Sequence, residues 1–114
     1  MNELLSIVVK AIDEKIGNEI KIIDFRNNNP LTDFFVIADV SNNRQMNAVI
    51  DNVVEKIEKS GYIIKAIEGQ QDSGWQLIDA YDVIIHIFIK EERYFYNLEK
   101  LWADFPQVDV NELL

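Results

Sequence analysis

Residues 75–102, WQLIDAYDVIIHIFIKEERYFYNLEKLW, are the stretch on which the reading of this chain turns. Trp75 to Asp79 alternates as a strand does, with Trp75, Leu77 and Asp79 on one face and Gln76 and Ile78 on the other. Val83 to Ile89 is the strongest strand signal: six of its seven residues are Val, Ile or Phe, and the seventh is His86. A run apolar on both faces belongs in the middle of a sheet that is covered on both sides. The Asp79-Ala80-Tyr81-Asp82 link allows only a tight hairpin, so these two strands are expected to pair antiparallel. Glu91, Glu92 and Arg93 then break the apolar pattern. Tyr94, Phe95, Leu98, Leu101 and Trp102 return at helical spacing and predict a helical tail.

Upstream, Leu4, Leu5, Val8, Ala11, Ile12 and Ile16 form the stripe of a helix over 3–16, with Gly17 placed as a left-handed cap. Glu19 to Phe25 reads as a strand, Arg26 to Pro30 as a loop, and Leu31 to Val40 as a second, internal strand. Asn42 and Gln45 have the spacing of a capping box. The helix they open buries Met46, Val49, Ile50, Val53, Val54 and Ile57, and Gly61 closes it. Tyr62 to Ile67 is expected as a third strand and Glu68 to Gly74 as a loop. The order predicts an α/β (α+β) domain: a mixed five-stranded sheet with two main helices packed on it.

A chain of 114 residues supports one core, so residues 1–114 are read as one domain. The formal net charge of -9 argues against nucleic-acid binding, which needs clustered Lys or Arg, and favours a basic partner. No cysteine is present, which removes disulfides and thiolate ligands and fits a cytoplasmic address. No basic leader precedes the first apolar residues and no apolar run is long enough to span a membrane.

Chemistry finds little to stand on. His86 is the only histidine and its neighbours are apolar, which suits a structural or interface role better than catalysis. No acidic residue has another two positions on, so no strand presents a carboxylate pair for Mg²⁺. The four glycines form neither a phosphate-binding loop nor a dinucleotide fingerprint. No enzyme activity, metal or cofactor is therefore expected. Asp79 and Asp82 suit either a turn or a binding site. Trp75 suits either a core position or an exposed anchor beside acidic groups, the composition of a protein-binding hot spot.

The string W-x-L-x-D-x-x-D-V-x-x-H-x-F from Trp75, followed by E-x-R-x-F-Y-x-L-E-x-L-W, resembles the Iojap family of ribosomal silencing factors, RsfS in bacteria. Leu31 to Ile37, Arg44-Gln45, Ala48 and Glu68-Gly69 extend the resemblance to about residues 10–104. The resemblance implies a nucleotidyltransferase-like fold without that activity. It also implies binding to ribosomal protein L-fourteen on the large ribosomal subunit, where the bound protein obstructs subunit joining and represses translation. Trp75, Asp79, Tyr96 and Glu99 are the positions it assigns to the contact. Tyr81, Asp82, His86 and Arg93 either touch the partner or support the site. Tyr81 stands where the family commonly has Gly, so the turn is expected to differ and Tyr81 itself to add to the interface. An apolar-centred surface also suits a homodimer of the free protein that opens on binding. The alternatives are a degenerate nucleotide-binding domain using Asp33, Asp79 or Asp82, and a large-subunit assembly factor. Convergence of two of those carboxyls on one pocket would favour the nucleotide-binding domain.

Overall fold

A computed structural model describes residues 3–27, 32–69 and 73–114. Part of each expected loop (residues 28–30 and 70–72) and Leu31 lie outside these. Helix α1 (Glu3–Glu14) buries Leu4, Leu5, Val8, Val9, Ala11 and Ile12. It ends two residues earlier than its sequence suggests. The left-handed residue is Ile16 (φ 61), not Gly17. The Ile16 and Gly17 amides donate to the Asp13 and Ile12 carbonyls, each at 3.0 Å. Gly17 is needed for space, because a Cβ there would overlap Ile12 Cγ2.

Helix α2 (Asn43–Lys59) starts as expected, with Asn42 Oδ1 accepting from the Gln45 amide at 2.8 Å. The Gln45 side chain reaches one residue further back than a capping box requires and accepts from the Ser41 amide. Its Nε2 donates to the Ile16 carbonyl at 2.9 Å, which ties the start of α2 to the end of α1. Gly61 (φ 88) closes α2, and the Tyr62 amide donates back to the Ile57 carbonyl.

The sheet has six strands, not five: β1 (Asn18–Asp24), β2 (Phe34–Val40), β3 (Ala66–Glu68), β4 (Trp75–Asp79), β5 (Val83–Ile89) and β6 (Gln107–Val108). Their order is β3-β4-β5-β2-β1-β6. β2 and β5 are parallel and every other pair is antiparallel. The third strand is shorter than Tyr62 to Ile67, since Tyr62 is spent capping α2 and the chain first meets β4 at Lys65.

One face of the sheet carries Ile22, Val36, Ala38, Val40, Ile78, Val83, Ile85 and Ile87 against α1 and α2. The expected α2 stripe packs there, with Ile85 beneath it. Phe35 and Ile37 point to the opposite face, where Ile23, Phe25, Ile37 and Phe88 are buried under Leu98, Trp102 and Phe105.

That second cover is the tail, and it is not one helix. Asn97 adopts φ 46 and separates α3 (Lys90–Tyr96) from α4 (Leu98–Leu101). Asn tolerates this conformation because its short polar side chain bonds locally, here accepting from the Lys100 amide. The break turns Leu98 and Trp102 inward and leaves Tyr94, Phe95 and Leu101 exposed, so the five residues at helical spacing do not share one face. Arg93 fixes the tail to the sheet. Its Nη1 donates to Asp39 Oδ2 and its Nε to Glu99 Oε1, both at 2.9 Å.

Two stability measurements test this packing. Ile50, 6% exposed within α2, should cost about 2–5 kcal/mol when changed to Ala, measured by denaturant unfolding. Arg93→Ala strands the buried Asp39 carboxylate and should cost about 3–5 kcal/mol in the same assay.

Candidate functional site

β4 lies one strand in from the sheet edge, and Trp75, Leu77 and Asp79 share its second face with Glu68 of β3 and Ile84, His86 and Phe88 of β5. The tail covers this face only in part. Phe35, Trp75, Leu77 and Ile84 are left half-buried, an apolar strip with Glu68 and Asp79 at its margin. The Trp75 indole lies on Phe88 (centroids 5.0 Å apart, 25° between planes) and meets Tyr96 at 4.5 Å. Tyr96 is 45% exposed and touches the exposed Phe95 edge-on at 5.2 Å. A groove of about 220 Å³ opens beside them, lined by Glu68, Gly69, Trp75 and Leu77. Gly69 is required there: its φ is 102, and a Cβ would sit 2.5 Å from the Trp75 carbonyl oxygen.

The structure brings some of the sequence-assigned residues together and parts others. Trp75 and Tyr96 are in contact, their rings tilted by 49°. Asp79 sits four residues along β4, about 13 Å from Trp75 at the rise of a strand. Its Oδ1 accepts from the Tyr81 amide at 3.0 Å, a turn-holding role. Tyr81 takes the costly positive φ (66) and is 53% exposed at the tip. The Asp82 side chain is exposed, and its carbonyl accepts from the Asp33 and Phe34 amides and from Thr32 Oγ1. It thereby anchors the start of β2 to the hairpin. Glu99 does not share a helical face with Tyr96, because the Asn97 break aims it at Arg93. Arg93 and His86 are buried.

Leu77 and Glu68 were passed over in the sequence. The W-x-L-x-D alternation already put Leu77 on the face of Trp75, whereas Glu68 joins it only through the β3–β4 register. A second cavity, about 380 Å³, surrounds the Arg93 ion pairs. Asp33, Asp79 and Asp82 line neither cavity. Among the described residues, no three His, Asp or Glu side chains group to hold a metal, and no helix is long and apolar enough to cross a membrane.

His86 is the electrostatic singularity of the site. Trp75 Nε1 donates to its Nδ1 at 3.2 Å, and its Nε2 is buried without a hydrogen-bond partner among the described residues. Burial pushes its pKa down to about 4, so the ring is neutral in the folded protein at pH 7. The unfolded chain protonates this ring near pH 6.5, before the native state does. Native stability present above pH 6.5 should therefore fall as the pH drops toward 4, by about 3 kcal/mol from this group. Urea unfolding at pH 7 and pH 4.5 should show a smaller loss in His86→Asn than in the parent.

Over residues 1–114 the chain matches the RsfS family model, described as "Ribosomal silencing factor during starvation". It is 35% identical to the ribosomal silencing factor RsfS of Halalkalibacterium halodurans over 112 residues, which cover 98% of this chain and 96% of that one. A crystal structure of a Chromobacterium violaceum protein superposes with a TM-score of 0.85 at 28% identity, covering 90% of this chain and 88% of the other. A mouse protein named "Mitochondrial assembly of ribosomal large subunit protein 1" is 27% identical over 104 residues, 87% of this chain and 45% of that one. With the family model matched along its whole length, the chain belongs to the RsfS family of ribosomal silencing factors.

Proposed function

We propose that this protein is a cytoplasmic silencing factor that binds ribosomal protein L-fourteen on the large ribosomal subunit and blocks joining of the small subunit. The full-length match to the silencing-factor family carries this reading. The geometry supports it. An aromatic pair at Trp75 and Tyr96, a half-buried apolar strip and a margin of carboxylates are what a protein-binding surface needs. The net charge of -9 suits a basic ribosomal partner and speeds encounter with it.

The mechanism is steric. An interface of about 1,600 Å² in total is enough for stable binding. A body of 35 × 33 × 26 Å seated on the subunit-joining face then occupies space the small subunit needs. No bond is made or broken, and Asp33, Asp79 and Asp82 do not converge on either of the two cavities described above. In the free protein the same strip suits pairing with a second copy, which separates on binding. A role in large-subunit assembly is the second reading, favoured by the name of the mouse relative.

Sedimentation with isolated subunits should place the protein with mature large subunits and reduce their joining to small subunits. Recovery with precursor particles alone would instead favour assembly. Trp75→Ala should weaken binding to large subunits by roughly 30- to 1,000-fold, about 2–4 kcal/mol, while the fold is retained. Asp79→Asn keeps an acceptor for the Tyr81 amide and removes the charge. It should lower the association rate at low salt and converge on the parent as salt rises. Labelled nucleoside triphosphates with Mg²⁺ should show no incorporation above buffer; turnover lost in Asp79→Asn would overturn the binding-module reading.

A further inference from the structure

The Trp75 indole has one polar atom, and that atom is engaged inside the sheet. Nε1 donates to Nδ1 of His86, which is 4% exposed and reached across the β4–β5 pair. This fixes the imidazole tautomer. Nδ1 must carry the lone pair, so the proton sits on Nε2. Nε2 is buried with no partner among the described residues, and the imidazole ring packs against Phe35 at 4.7 Å. An orphaned buried N–H is unfavourable and calls for a reason. The other tautomer would set two N–H groups against each other at Trp75 and leave the indole donor unsatisfied. The sheet thus tolerates one orphan at depth in order to keep the surface indole in a single orientation.

We propose that His86 is the positioning residue of the partner-binding surface: it holds the Trp75 indole N–H inward, so that what Trp75 offers a partner is hydrocarbon rather than a hydrogen-bond donor. Phe88 and Tyr96 restrain the plane of the indole, and the His86 bond selects which edge of that plane faces inward. The corresponding part of the partner is then an apolar pocket with no acceptor for an indole. Without His86, the indole N–H must find water or a partner acceptor, and the outward edge becomes polar. The role in partner binding rests on the function proposed above; the positioning of the indole does not.

Two measurements separate those parts. Nitrogen NMR of the wild-type protein at pH 7 should show His86 with an unprotonated Nδ1 and a protonated Nε2, and the Trp75 indole proton slow to exchange. A protonated Nδ1 overturns the proposal without any variant. His86→Phe keeps a ring beneath Trp75 and removes the acceptor; it should speed indole exchange and weaken binding to purified large ribosomal subunits about tenfold, with His86→Asn recovering most of the loss. In a Trp75→Phe background, which has no indole N–H, His86→Phe should have little further effect, because the coupling acts through that one bond. Equal losses in both backgrounds, or unchanged indole exchange in His86→Phe, would overturn the positioning role. If indole exchange responds as expected while Trp75→Ala binds subunits like the parent, the positioning stands and the ribosomal interface lies elsewhere.

Discussion

Because β2 and β5 run parallel at the middle of the sheet, in register from Phe34 and Val83 to Val40 and Ile89, both of their faces have to be kept from water. The chain supplies two amphipathic helices, and the crossover that a parallel pair demands puts α2 on one face beside α1. Nothing of comparable size remains for the other face. It is closed instead by a broken tail whose contribution is aromatic: Phe25 meets Phe35, Trp102 and Phe105 at centroid distances of 4.8, 5.2 and 4.8 Å. Rings cover more area per residue than aliphatic side chains, which is how so short a segment suffices. The shortfall toward the β3 edge is the half-covered strip that carries Trp75.

A cover this small needs fastening, and Arg93 provides it. Its guanidinium ties α3 to Asp39 at the end of β2, to Glu99 beyond the Asn97 break, and to the Asn18 carbonyl in β1. Burying such a group is unfavourable unless its donors are matched, and three acceptors from three elements match them. The directional bonds set where the tail lies; the apolar contacts supply most of the stabilisation.

Much of this was legible in the sequence, for physical reasons that can be named. The α2 boundaries were written locally, by Asn42 at one end and Gly61 at the other, and local chemistry decided them. β4 and β5 were readable because a short link leaves a hairpin as its only solution. β6 was not readable, since two residues carry no periodicity and pair with β1 only after Pro106 has been brought to Asp24. The Arg93 network joins residues 54 positions apart and leaves no trace in spacing. At the site, Trp75 and Tyr96 were assigned together and do meet. Glu99 was assigned through the family resemblance, and the Asn97 break turns it to Arg93 instead, although an Asn inside a helical pattern is a recognisable warning. The Trp75–His86 bond lay within reach, because both belong to facing strands, but only the register determines which atoms touch.

Tyr96 belongs to the same short segment that seals the aromatic core, so damage to that segment reaches the proposed contact surface and the core together. A molecule whose residues 90–105 are clipped or frayed loses the Tyr96 ring from beside Trp75 and uncovers Phe25, Phe35 and Phe88 in one event. Such a molecule presents the greasy surface by which chaperones and proteases sort damaged proteins.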